Sequence, residues 1–282
     1  MSNKRGRLIR NWGDGKLYKL DHVVHFVSSP EKTMEQLKKE GLHVVEGGQH
    51  AQWGTYNALC YFNSTYIELI GIDDHEKFRK ASRVPFSLHE TYVKNYYEDG
   101  LTRVAFSTTT IEADAKKFQQ LGFHVIGPER FSRTRPDGSV ISWQLLYVGS
   151  DDLQLDLPFF IQWDKPEQQR VQELKSIGTI QNHPAGPIKI EEVSFVVSNF
   201  NTAHALLKLC DFEQSQMTDS KLKADVLKIH TSTGTLAFYS PTDEGDVWNM
   251  LMERGQSICS IVLAGASEGK LLHIENANYV FQ

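Results

Sequence analysis

The chain has 282 residues, 40% hydrophobic and 23% charged, which is a globular composition that argues against long disorder. No apolar run approaches the roughly 18 residues needed to span a bilayer, and a net charge of -5 leaves no basic surplus for a general nucleic-acid binder. The three cysteines, Cys60, Cys210 and Cys259, lie far apart with no CxxC, which argues against a disulfide framework or a cysteine zinc cluster.

The first segment, 1–19, carries Lys4, Arg5, Arg7 and Arg10 with no apolar stretch behind them. It reads as a solvated tail rather than a secretory signal, and a cytoplasmic location is the expectation.

From Leu20 the chain repeats itself. LDHVVHFVSS, a polar helical stretch PEKTMEQLKKEG and LHVVEGG are answered 81 residues later by LTRVAFSTTT, IEADAKKFQQLG and FHVIGP. The offset places Val23 on Val104, Gly41 on Gly122 and His43 on His124. The β-branched and aromatic runs are strands, and the segment after each carries apolar residues at helical spacing. The glycines sit just past each helix, where a left-handed stop is commonest. Two further strands follow in each copy, ALCYF and YIELIG in the first, WQLLYV and LQLDLP in the second. A third copy starts at Ile190, and a fourth start at Ile258 is truncated or false because too few residues follow for a helix. The predicted fold class is α+β, built from repeated βαβββ modules. The predicted division is a paired domain at 20–165, a helix and linker at 166–187 containing Gly178, Pro184, Gly186 and Pro187, and degenerate modules at 188–282.

LDHVVHF at 20–26, HAQWGTYNAL at 50–59, YIELIG at 66–71, RPDGSVISW at 135–143 and LPFFIQW at 157–163 resemble the vicinal oxygen chelate superfamily, in particular its glyoxalase-like domain. The resemblance covers residues 20 to about 165. It implies βαβββ modules paired into curved mixed sheets around a cavity for small-molecule chemistry or binding, as in glyoxalases, extradiol dioxygenases, epimerases and drug-binding resistance proteins. It fixes architecture better than reaction.

The resemblance also implies metal ligands on the first and last strand of each module. In this sequence these are His22 and Glu68 in the first half, and Arg103 and Gln154 at the repeat-equivalent positions of the second. Imidazole and carboxylate suit divalent Zn, Ni, Mn or Fe. An amide oxygen of Gln154 can ligate, but the guanidinium of Arg103 cannot. Two readings follow. In one, His22, Glu68 and the loop histidine His50 hold a metal, and Glu68 or His50 moves a proton on an oxygen-rich anionic substrate. In the other, Arg103 replaces the metal, pairs with Glu68 and grips a ligand without catalysis. Asp156 is the second candidate partner for Arg103.

Arg133 and Arg135, in the second module's matching loop, predict an anionic ligand if they face inward. Trp53 and Asn57 are candidate ligand contacts, since aromatic rings can stack on a planar substrate. The expected partner is a small molecule, with neither nucleic acid nor membrane, and a homodimer is allowed. Strand alternation places His22, Val24 and Phe26 on one face and His25 on the other. No GxSxG, HExxH or P-loop occurs.

Overall fold

The computed structural model describes residues 18–134 and 138–282. In chain order the elements are β1 (Lys19–Phe26), α1 (Pro30–Lys39), β2 (Val45–His50), β3 (Thr55–Phe62), β4 (Thr65–Ile72), α2 (His75–Ala81), α3 (Leu88–Lys94), β5 (Gly100–Ser107), α4 (Ile111–Gln120), β6 (His124–Thr134), β7 (Val140–Gly149) and β8 (Phe159–Trp163). There follow α5 (Glu167–Ser176), β9 (Lys189–Val196), α6 (Asn201–Leu209), β10 (Glu213–Asp219), β11 (Ala224–His230), β12 (Thr235–Pro241), α7 (Asp246–Arg254), β13 (Ser257–Ala264), β14 (Lys270–Ile274) and β15 (Ala277–Phe281). No helix among the described residues is long and apolar enough to cross a membrane.

Two mixed sheets form. The first runs β2-β3-β4-β1-β5-β8-β7-β6, two βαβββ modules joined edge to edge through β1 and β5. The second runs β10-β11-β12-β9-β13-β15-β14. From Ile258, the fourth start, β13 leads straight into the β14–β15 hairpin with no helix between them. The pairing of β1 with β5 sets Val23 opposite Val104, with His22 against Ala105 and Val24 against Arg103. The 81-residue offset is thus the pseudo-twofold of the sheet, with its axis at Val23 and Val104.

The helices α1, α4 and α6 bury apolar faces between the sheets. Leu37, Phe118 and Leu206 join Val23, Phe106, Val193 and Ile261 in one continuous core. His25, on the face opposite His22, is fully buried there and bonds the hydroxyl of Tyr279 across the junction at 2.7 Å. Ser29 caps α1 by accepting from the Lys32 amide. Burying this apolar surface is the main stabilising term. It also frees the opposite, concave face of the first sheet to line a cavity.

The last strand of the second module lies later than its sequence pattern predicts. LQLDLP is an irregular connection, and the strand is Phe159–Trp163, pairing Ala105 with Phe159 in parallel. Glu68 pairs with Val24 in the same way in the first module, so its true counterpart is Phe159, not Gln154. Pro158 helps explain the delay, because a proline cannot donate to a central ladder and is tolerated just before a strand begins.

Candidate functional site

A cavity of about 440 Å³ opens over the concave face of the first sheet, a size suited to a small molecule. Tyr61, Tyr66, Trp143, Tyr147, Phe159 and Trp163 give it an aromatic wall. Two segments outside the modules cover it. The insertion at 73–99 brings in Leu88 and His89, α5 brings in Arg170 and Leu174, and Ile177 follows at its C-terminal cap.

The wall carries a continuous polar line. Asp21 starts it, and local irregularity places it there. The β1–β5 register slips between Leu20 and His22, so Asp21 is a bulge residue. A bulge lets two consecutive side chains turn to one face and often re-aims a side chain beside a site. The Oδ1 of Asp21 lies 2.8 Å from Nδ1 of His22. Its Oδ2 accepts from the indole N–H of Trp163 at 3.0 Å and lies 3.6 Å from Nη2 of Arg170. Burial alone would raise the Asp21 pKa, but the hydrogen bond from His22 and the charge of Arg170 outweigh it, and the net shift is downward. An ionised Asp21 only accepts, so Nδ1 of His22 carries a hydrogen and Nε2 is turned into the cavity. Tyr66 stacks on the imidazole with ring centroids 4.5 Å apart, which fixes its plane.

Nε2 of His22 faces Oε2 of Glu68 at 3.7 Å, too long for a hydrogen bond. The other Glu68 oxygen is held by the Asn57 amide at 2.5 Å. Asn57 in turn accepts from Nη1 of Arg133 at 3.0 Å. Gly47 permits this arrangement, because a Cβ there would lie 2.0 Å from Oδ1 of Asn57. The line thus runs Arg133–Asn57–Glu68–His22–Asp21–Arg170, hydrogen-bonded from Arg133 to Glu68 and from His22 to Asp21, with a gap between Glu68 and His22 and a longer-range ion pair between Asp21 and Arg170.

The cavity's other histidines differ in character. Burial pushes His50 down to about 4, with Glu68 opposing and Arg133 assisting. His89 is pushed down to about 3 by burial and by its proximity to His50. Both rings are therefore neutral at physiological pH. Nδ1 of His50 bonds Oγ1 of Thr55 at 3.1 Å. Trp53 lies beside both rings, with centroids 5.4 Å from His50 and 5.2 Å from His89.

Of the residues singled out in the sequence, His22, Glu68, His50, Trp53, Asn57 and Arg133 all line this cavity. Arg103 and Gln154 do not. Arg103 is 1% exposed and faces protein groups. Its Nη1 donates to the Phe86 carbonyl at 3.1 Å and Thr91 Oγ1 at 2.7 Å, and its Nη2 donates to the Leu157 carbonyl at 2.5 Å. Its charge partner is Asp156 at 3.7 Å. It pairs with Asp156 rather than Glu68 because the late start of β8 leaves 150–158 free to curl beneath it. Gln154 sits in that connection and accepts from Gln256 at 2.6 Å. Arg135 lies outside the described residues.

These residues do not fit a metal. His22 and Glu68 supply two ligands, while their counterparts, Arg103 and Phe159, supply none. Among the described residues no group of three His, Cys, Asp or Glu side chains converges to hold an ion.

Three contributors escape sequence reading. Asp21 is hidden by its bulge, since strand parity alone turns it away from His22. Arg170 lies on a helix outside the repeat. His89 lies in an insertion with no repeat counterpart, although Ser87 followed by Glu90 is a legible helix-start signature: Ser87 caps the Glu90 amide at 3.1 Å, and the Glu90 carboxylate accepts from the Phe86 amide at 2.6 Å.

The paired modules and their cavity define a protein of the vicinal oxygen chelate superfamily. The glyoxalase-like domain model matches residues 20–210, and the chain belongs to that family. A hypothetical protein from Staphylococcus aureus superposes with a TM-score of 0.77 at 24% identity, covering 94% of this chain and 99% of that one. A mutant of 4-hydroxymandelate synthase from Streptomyces coelicolor superposes with a TM-score of 0.57 at 11% identity, covering 89% and 71%. At these identities the likeness is one of fold. The comparison with curated proteins gave no match.

Proposed function

We propose that the chain is a small-molecule enzyme of glyoxalase-like type that moves a proton on an anionic, oxygen-rich substrate bearing a planar or aromatic group. The observation that carries this reading is the open 3.7 Å gap between His22, held at Nδ1 by Asp21, and Glu68, held by Asn57. In this reading His22 takes the proton at Nε2, and the imidazolium that forms lies between the carboxylates of Asp21 and Glu68. Asp21 is a positioning residue, because it acts through His22. The proton comes from a carbon beside a carbonyl, and the electron pair moves onto the carbonyl oxygen.

Two arginines support an anionic substrate. Nε of Arg133, and Nε and Nη1 of Arg170, are buried without a hydrogen-bond partner among the described residues. Native structures seldom leave buried donors of this kind unpaired, and guanidinium is suited to carboxylate. No step is assigned to a metal, because the donor set does not fit one. The non-catalytic reading in which Arg103 grips the ligand gains no support, since both its terminal nitrogens are committed to protein oxygens.

A thermal-shift panel of aromatic carboxylates tests the anion part. Binding to the folded state raises apparent stability by mass action. Wild-type protein is expected to gain several degrees at millimolar carboxylate, and Arg133→Met is expected to lose most of that gain. Equal shifts with the matching neutral amides would contradict the reading.

A further inference from the structure

The end of the cavity around Trp53 is polar in a way that proton transfer at His22 does not use. His89 comes from α3, in the insertion that covers the cavity, and is 2% exposed. Its Nε2 is buried with no hydrogen-bond partner. Native structures seldom leave such an atom unpaired, and this one belongs to a residue that lines the cavity. His50 lines the same end, 6% exposed, with Nδ1 fixed by Thr55. The indole of Trp53 is packed near both imidazoles, and Trp143 lies 6.3 Å from His50.

We propose that His89 and His50 form a polar subsite that hydrogen-bonds a hydroxyl group on the aromatic part of the ligand. The proposal rests on the cavity reading above and adds to it the class of substrate: a hydroxylated aromatic carboxylate.

The chemistry favours a hydroxyl over other groups. Each imidazole is neutral, because burial holds both below the physiological range. A neutral imidazole offers one donor and one acceptor. A hydroxyl also donates and accepts, so it can satisfy one ring with its hydrogen and the other with its oxygen. A carboxylate only accepts, so it cannot serve a ring that presents its lone pair, and it is better matched by the arginines. An ammonium only donates, and it would lose its hydration among Trp53, Trp143 and Phe78. A site built to bond a hydroxyl discriminates against the analogue that lacks it, because its own polar atoms are then left unpaired.

The test is calorimetric titration with matched probes: the 3- and 4-hydroxyphenylacetates, the 3- and 4-methylphenylacetates and phenylacetate. Wild-type protein is expected to bind at least one hydroxyl isomer about tenfold or more tighter than its methyl counterpart. His89→Leu is expected to reduce that ratio to about two or less, while His89→Gln, which keeps a donor and an acceptor, retains a measurable part of it. His50→Asn reports on the second ring if His89→Leu does not fold. Methyl compounds binding as tightly as their hydroxyl partners to wild type would overturn the subsite while leaving the cavity reading intact. So would an unchanged ratio in folded His89→Leu. Failure of all five probes to bind wild-type protein would overturn the cavity reading and the subsite with it.

Discussion

Arg103→Met is expected to lower the stability of the folded chain by about 3–5 kcal/mol, the range for removing one partner of a buried charge pair. Methionine replaces the aliphatic stem and fills part of the volume. It cannot replace three hydrogen bonds. The Phe86 and Leu157 carbonyls lose this donor, Thr91 Oγ1 keeps only its contacts to Asp156 and the Ser87 carbonyl, and Asp156 loses its cation. These groups tie together β5, the connection before β8 and the insertion that brings His89 over the cavity. Urea unfolding measures the loss, and amide exchange in residues 86–91 is expected to accelerate more than exchange in β9–β12. A fall below about 1 kcal/mol would mean that Arg103 does not hold the insertion.

Acid is expected to destabilise the protein steeply. His25, His50 and His89 have folded pKa values of about 4, about 4 and about 3, each pushed down from 6.5 first by burial. Once unfolded, each titrates near its ordinary 6.5. Between about pH 6.5 and pH 4 the unfolded chain therefore binds more protons than the folded one, and stability falls as pH falls. Each proton contributes about 1.4 kcal/mol per pH unit, so three give a limiting slope of about 4 kcal/mol per unit near pH 5. Asp21, held low in the folded state, extends the loss to lower pH as it is protonated. Glu275 is raised by burial and by Asp99 and opposes the trend by at most one proton. Urea midpoints at pH 7, 6 and 5 measure the slope, and His89→Phe is expected to reduce it by about one proton's worth. A flat profile over this range would contradict the neutral burial of the three rings.

The fold was legible in the sequence where repetition and strand parity agree. The 81-residue offset places Val23 opposite Val104, and alternation sends His22 to the cavity and His25 to the junction with Tyr279. Reading failed where the chain departs from regular geometry. A bulge at Asp21 reverses the parity rule, and no composition signal marks it. The run LQLDLP alternates like a strand, but the ladder begins only after Pro158, which moves Gln154 out of the sheet and puts Phe159 in its place. Arg103 is inward by register, yet its partner depended on where that connection runs. The covers of the cavity, α3 and α5, have no repeat counterpart, so His89 and Arg170 could not be found by comparing modules.

The most direct test of the central claim, proton transfer at His22 without a metal, is deuterium uptake from D2O at the carbon beside the carbonyl of aromatic 2-oxo carboxylates, followed by proton NMR after exhaustive chelation. Wild-type protein is expected to accelerate uptake over buffer for at least one such compound. His22→Gln is expected to remove the acceleration. Asp21→Asn is expected to cut it by at least about 100-fold, the scale on which positioned acid–base groups act, while carboxylate binding persists. Uptake at the buffer rate with a compound that binds, or acceleration that appears only when a divalent metal is added back, would contradict the account.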